Sequence, residues 1–179
     1  MKKYIALLRG INVGGKNKVS MPSLKAAFEK VGFCTVSTYI NSGNIIFSAE
    51  ENDIETLQQI CRQAILDTFQ LNIAVAVLSA GDLHEALAHA PVWWDQDIAS
   101  KHNAIFVIAP ANADSVIASV GQSKPEYEQV SGYGPLIFWS APLDTFSRTR
   151  WSKIVSTSVY SSVTIRNANT TKKLSELAR

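Results

Sequence analysis

The chain has 179 residues, 46% of them hydrophobic and 18% charged, with a formal net charge of +2 at neutral pH. That length predicts one large domain or two small subdomains with a core that needs no staples, and the composition excludes intrinsic disorder. The charge is segregated: residues 1–30 carry seven Lys/Arg and one acid, residues 146–179 the same, and residues 31–145 three Lys/Arg and thirteen acids, so an electropositive surface is expected where the two ends converge.

Tyr4–Leu8 is a short continuous apolar run and predicts a buried strand. It stops at Arg9, short of the ~7–15 residues of a signal-peptide core, and no apolar run reaches the ~18 that a membrane span needs. A polar loop rich in glycine runs from Arg9 to Val19. Ser20 is a helix cap, Pro22 fits the first turn, and Leu24, Ala27, Phe28 and Val31 recur at helical spacing up to Gly32. Val36–Ile40 and Ile45–Phe47 flank Asn41-Ser42-Gly43-Asn44, a hairpin signal. Asn52 or Asp53 caps a second helix carrying Ile54, Leu57, Cys61, Ala64 and Ile65, and Ile73–Leu78 is a further strand. The order β-α-β-β-α-β is that of the split βαβ, or ferredoxin-like, unit.

The second half repeats the order without sequence self-similarity. Ala104–Ile108 predicts a strand, and residues 116–120 a helix ended by Gly121. Tyr127–Val130 and Leu136–Trp139 form a hairpin about Gly132-Tyr133-Gly134-Pro135. Phe146 to Ser156 predicts a helix and Val163–Ile165 a strand, with a final helix from Asn169-Thr170. The expected fold is α+β, with two subdomains each approximating a split βαβ (ferredoxin-like) unit, residues 1–80 and 101–179, joined by a short helical connector over 81–100. Trp93-Trp94 in the connector predicts either cover for the seam between subdomains or an interface anchor.

Three polar segments carry the candidate chemistry. Gly10-Ile11-Asn12-Val13-Gly14-Gly15-Lys16-Asn17 follows a strand and approaches the phosphate-binding G-x-x-x-x-G-K-S/T pattern. Asn17 replaces the magnesium-binding hydroxyl, and Pro22 would fall inside the helix that must follow at once, which argues against a triphosphatase. A looser anion-binding nest around Arg9, Lys16 and Lys18 stays open beside a plain connecting loop. Asn41 and Asn44 either present their amides to a ligand or bond their own turn. Arg166, Asn167, Asn169 and Lys172 stand at the start of the last helix, where free N–H groups favour anions.

No metal site is expected. His84 and His89, in His-Glu-Ala-Leu-Ala-His, are five apart and so about 140° apart on a helix, unlike zinc-binding i, i+4 pairs. Cys34 and Cys61 lack metal or redox spacing and predict free thiols in a reducing, cytoplasmic setting. No G-x-S-x-G elbow occurs, though a Ser/His/Asp triad assembled in space stays open.

The segments Leu7–Met21, Thr38–Phe47 and Thr164–Thr170, in this order, resemble the bacterial family called domain of unknown function 1697, over essentially the whole chain. In that family's usual wording a Trp stands between the last two Asn residues, where this chain has Ala168. The resemblance implies an α+β protein of two subdomains and assigns no catalytic residue. The first expectation for function is a binding module for a phosphate-bearing ligand, either a nucleotide-like small molecule or a short nucleic acid, with no cofactor. Its site would be Arg9, Asn12, Gly14, Gly15, Lys16, Asn41, Asn44, Arg166, Asn167, Asn169 and Lys172. The alternatives are an enzyme acting on a phosphorylated substrate there without a metal, and a protein-interaction module using Trp93 and Trp94.

Overall fold

The computed structural model describes residues 1–51 and 53–179. The chain is α+β and divides into two compact units, Met1–Gly81 with Leu174–Arg179, and Asp82–Lys173. The connector expected over 81–100 thus falls almost wholly in the second unit, and the last six residues belong with the first.

In the first unit the elements are β1 (Lys2–Leu8), α1 (Met21–Lys30), β2 (Cys34–Tyr39), β3 (Asn44–Ala49), α2 (Ile54–Phe69) and β4 (Val75–Ser79). The sheet order is β2-β3-β1-β4, antiparallel throughout. The continuous apolar run of β1 lies inside the sheet because it can be buried on both faces: Tyr4, Ala6 and Leu8 pack with the helices, and Ile5 and Leu7 on the opposite face are equally buried. Leu24 and Phe28 of α1 and Leu57, Cys61 and Ile65 of α2 complete this core. Phe28 is fully buried, a contribution of roughly 1.5–3 kcal/mol.

Caps set the helix limits. Ser20 Oγ accepts from Ser23 N, and Pro22 occupies the first turn of α1. Asp53 accepts from Thr56 N at 2.8 Å, and its hydrogen bonds from Thr56, side chain then backbone, hold its carboxyl below the usual range. The alternative cap, Asn52, lies outside the described residues.

The second unit contains α3 (Ala80–Ala88, entered from the first unit), β5 (Ser100–Val107), α4 (Ala113–Val120), β6 (Gln129–Tyr133), β7 (Leu136–Pro142), β8 (Val163–Asn167) and α5 (Ala168–Leu177, whose last turn belongs to the first unit). Its sheet order, β6-β7-β5-β8, repeats that of the first unit. Two details differ from expectation. Gly132 and Tyr133 are strand residues, because Tyr133 pairs with Leu136 and only Gly134-Pro135 turns. The helix expected over 146–156 is three short 3-10 segments instead, Phe146–Arg148, Trp151–Ser156 and Ser158–Ser162.

The cause of that second difference is local hydroxyl chemistry and one buried carboxylate. Thr149 Oγ1 donates to Phe146 O at 2.8 Å, Ser156 Oγ to Lys153 O at 2.8 Å and Thr157 Oγ1 to Ile154 O at 2.7 Å, each competing with regular helix bonding. Glu128, 2% exposed, accepts from Arg150 N (2.8 Å), Trp151 N (3.1 Å), Lys124 N (3.0 Å) and Trp139 Nε1 (3.2 Å). The carboxylate thereby pins the start of the second 3-10 segment.

Candidate functional site

The candidate residues divide between the two units. In the first, the loop after β1 does not enter a helix at Lys16. Val13 and Lys16 form an antiparallel bridge, Lys16 N donates to Val13 O at 3.1 Å, and Gly14 (φ 57°) and Gly15 (φ 74°) make the turn between them. Consecutive left-handed residues suit a two-residue hairpin turn, so the glycines shape a small projecting hairpin. This is why the phosphate-loop spacing does not produce a phosphate loop.

Asn12 fastens that hairpin to the neighbouring turn. Its Nδ2 donates to Val19 O (2.9 Å) and Asn41 O (2.8 Å), and its Oδ1 accepts from Val19 N (2.8 Å). Asn12 therefore spends both donors on the protein and positions the loop. Asn17 Nδ2 bonds Gly10 O at 2.9 Å and closes the base. Beneath Asn41, Gly43 (φ 77°) lies so close that an added Cβ would come within 2.7 Å of both Ile11 Cδ1 and Leu8 Cβ. Asn44 is fully buried and donates to Tyr39 O (3.0 Å) and Ser42 Oγ (2.9 Å), so its role is to build the turn.

The result is a cavity of about 520 Å3 lined by Asn12, Gly15, Lys18, Ser20, Pro22 and Asn41 among others. Lys16 and Lys18 are exposed, and neither side chain is paired among the described residues. The first turn of α1, which carries no acid, forms part of the wall. Its dipole favours negative charge there. The lining has no carboxylate, histidine or thiol.

The second unit holds a cavity of about 540 Å3 that collects Asn167 and Asn169 with Asp95, Asp97, Lys101 and His102. Asn167 Oδ1 caps α5 by accepting from Thr170 N at 2.8 Å. Lys172 is ion-paired with Asp95. Arg166 Nη1 donates to Thr164 Oγ1 and Ile165 O, both at 3.0 Å, and burial pushes its guanidinium down to about 10. Ala168 is buried in the cavity wall.

His102 was not singled out by the sequence, since it reads as one polar residue within a strand pattern. It is buried, with Nδ1 accepting from Asp95 N (3.0 Å) and lying 2.6 Å from Ser140 Oγ, and Nε2 2.7 Å from Asp97 O. Ser140, His102 and Asp97 are the nearest approach to a triad. Both imidazole nitrogens are engaged by the fold, however, and Ser140 is buried in β7, so they serve as a structural network. His89 stacks on Tyr133 at 4.1 Å, and Tyr133 Oη donates to Glu85 Oε1 at 3.0 Å; that bond pushes the Tyr133 phenol up. No group of three or more His, Cys, Asp or Glu among the described residues is placed to hold a metal. Trp94 is 4% exposed, donates to Asn103 O at 2.9 Å and meets Phe138 edge-on, which makes it a core residue.

A two-unit α+β architecture with these polar loops matches a known family. The chain belongs to the family described as protein of unknown function (DUF1697), whose model matches residues 1–138. Among solved structures it is similar to the conserved bacterial protein SP0830 from Streptococcus pneumoniae, at 31% identity and a TM-score of 0.89 over 99% of each chain. No curated protein matches significantly. No helix among the described residues is long and apolar enough to cross a membrane.

Proposed function

We propose that the protein is a binding module for a phosphate-bearing ligand, a nucleotide-like small molecule or a short nucleic acid, held at the cavity of its first, ferredoxin-like unit. One observation carries the reading: Asn12 locks the glycine hairpin to the Asn41 turn, so that Gly15, Lys18 and the start of α1 share one cavity beside two uncommitted lysines. Lys16 and Lys18 supply charge, Asn41 offers an amide, and the glycine backbone permits close approach. The two free thiols, one buried and one half-buried, fit a reducing, cytoplasmic setting.

Binding is preferred to catalysis at this cavity because its lining holds one charged side chain, Lys18, and no carboxylate, histidine or thiol to pair with it in acid–base or nucleophilic chemistry. The sheet is not offered as an RNA platform, since β3 is buried along its whole length and β1 from Tyr4 to Leu8.

The test is a thermal-shift series with ATP, GTP, sugar phosphates, and short RNA and DNA. A ligand at ~100 times its Kd stabilises by ~2.7 kcal/mol, and each kcal/mol moves the midpoint by ~2–4 °C at this size. A selective shift abolished in the Lys16→Ala, Lys18→Ala double variant is expected. If no phosphate compound moves the midpoint, the reading fails. A steep loss of binding with added salt marks a nucleic acid rather than a small molecule.

A further inference from the structure

The loops that frame the first unit's cavity expose two aliphatic side chains. Val13, in the glycine hairpin, is 68% exposed, and Ile40, which opens the turn between Tyr39 and Asn44, is 49% exposed. Asn12 Nδ2 donates to Asn41 O at 2.8 Å, so the residue next to each belongs to one tie in the cavity lining. Neither aliphatic side chain is part of the core. Ile40 is also held at φ 48°, a left-handed conformation that is unfavourable for a β-branched residue and that Asn or Gly adopts far more readily. An isoleucine kept strained and half exposed is a mark of function, since packing gains little from it.

Val13 has a charged neighbour. It pairs with Lys16 across the hairpin, and directly opposite residues of an antiparallel pair set their side chains on one face, with Cβ atoms about 5 Å apart. An isopropyl group and an ammonium are thus presented together. Lys16 and Lys18 are exposed and unpaired among the described residues. Between Val13 and Lys16, Gly14 and Gly15 have nothing within 4 Å of where a Cβ would stand, so the tip is open to a chain lying across it. An apolar contact beside a cation suits a flat base joined to its phosphate, and a sugar phosphate has no comparable apolar face. Two aliphatic contacts and two lysines exceed what one nucleoside monophosphate uses. Bases in a duplex are stacked on one another, so only an unpaired strand can lay a base on either side chain.

We propose that this face of the first unit binds a single-stranded nucleic acid. Val13 and Ile40 each take the face of a base, and Lys16 and Lys18 take the phosphates. The assignment rests on the phosphate reading above and narrows it to one class of polymer.

The experiment is fluorescence anisotropy of labelled short oligo-U and oligo-dT titrated with the full chain over a series of salt concentrations. Val13→Ser and Ile40→Ser are each expected to weaken binding about tenfold, the contribution of one aliphatic contact, and to leave the salt slope unchanged. Lys16→Ala instead lowers that slope by about 0.7, the value of one phosphate on a single strand. Both aliphatic side chains are exposed, so the thermal midpoint is expected to hold. Ile40→Asn, whose side chain suits the left-handed turn, removes the aliphatic contact without loading the fold. If Val13→Ser and Ile40→Asn bind the oligonucleotides as the parent does, while the Lys16→Ala, Lys18→Ala double variant does not bind them, the phosphate reading survives and this assignment falls. The assignment also falls if inorganic polyphosphate or a blunt duplex binds as tightly as the single strand. Failure of every phosphate compound to bind overturns both.

Discussion

Glu128 shows how one side chain can replace a length of regular structure. Its four donors come from residues 124, 139, 150 and 151. An amide cannot stand in for the carboxylate, because its NH2 would face N–H groups. Glu128→Gln is therefore expected to lower stability by about 3 kcal/mol, measured by urea unfolding, and to speed hydrogen exchange at the Arg150 and Trp151 amides before that of β7. Unchanged exchange there would refute the role. The thiols separate on simpler grounds. Cys61 is fully buried, and burial pushes its thiol well up, which suppresses the reactive thiolate at neutral pH. Cys34 is half-buried. One equivalent of a thiol reagent should add rapidly to the native protein, at Cys34, and the second only on unfolding; prompt labelling of both would contradict the burial of α2. The burial of Cys61 was visible in the apolar spacing of its helix, whereas the role of Glu128 was not visible locally. Glu128 reads as an outward residue of a strand, and its partners lie up to 23 residues away.

Among the elements, the turn between β2 and β3 bears most on the cavity proposed to take a phosphate. Leu8 N donates to Gly43 O at 2.8 Å, and no Cβ fits at Gly43. Gly43→Ala should cost about 1–3 kcal/mol from its backbone conformation alone and more from the contact with Ile11, seen as a lowered thermal midpoint. A midpoint within error of the parent would show that the turn relaxes freely. This turn, and the strands and helices of the first unit, were legible because apolar periodicity, caps and turn residues agree there. The second crossover was not. Its apolar spacing mimics a helix, while Thr149, Ser156 and Thr157 divert the backbone and Glu128 fixes the diversion. The glycine loop misled in another way. Its residues match a phosphate-binding spacing, but the left-handed conformations of Asn12, Gly14, Gly15 and Asn17 return the chain on itself before α1 begins.

Across the molecule, one strand order is built twice from sequences that share no evident repeat. The sheet order follows from where the continuous apolar strands fall, β1 and β5 each taking an interior position flanked by partners on both sides. What crosses from β3 to β4, and from β7 to β8, is then free to vary, a 16-residue helix in one unit and 3-10 turns in the other. The eleven residues first put forward as a site divide in the same way, seven in the first unit and four in the second. Charge patterning pointed to the terminal segments but could not say which cations the fold consumes. Lys172 is taken by Asp95, whereas Lys16 and Lys18 remain uncommitted.

The hairpin strap from Gly10 to Val19 is held at its base by Asn17 and along its length by Asn12. Its conformational entropy is surrendered when the chain folds, not when a partner arrives. The ligand proposed above would there meet a finished shape, so the interaction it makes would not be diluted by the work of ordering a loop. Capture of the anion proposed above would then be governed by encounter, which the two lysines would hasten and dissolved salt would slow.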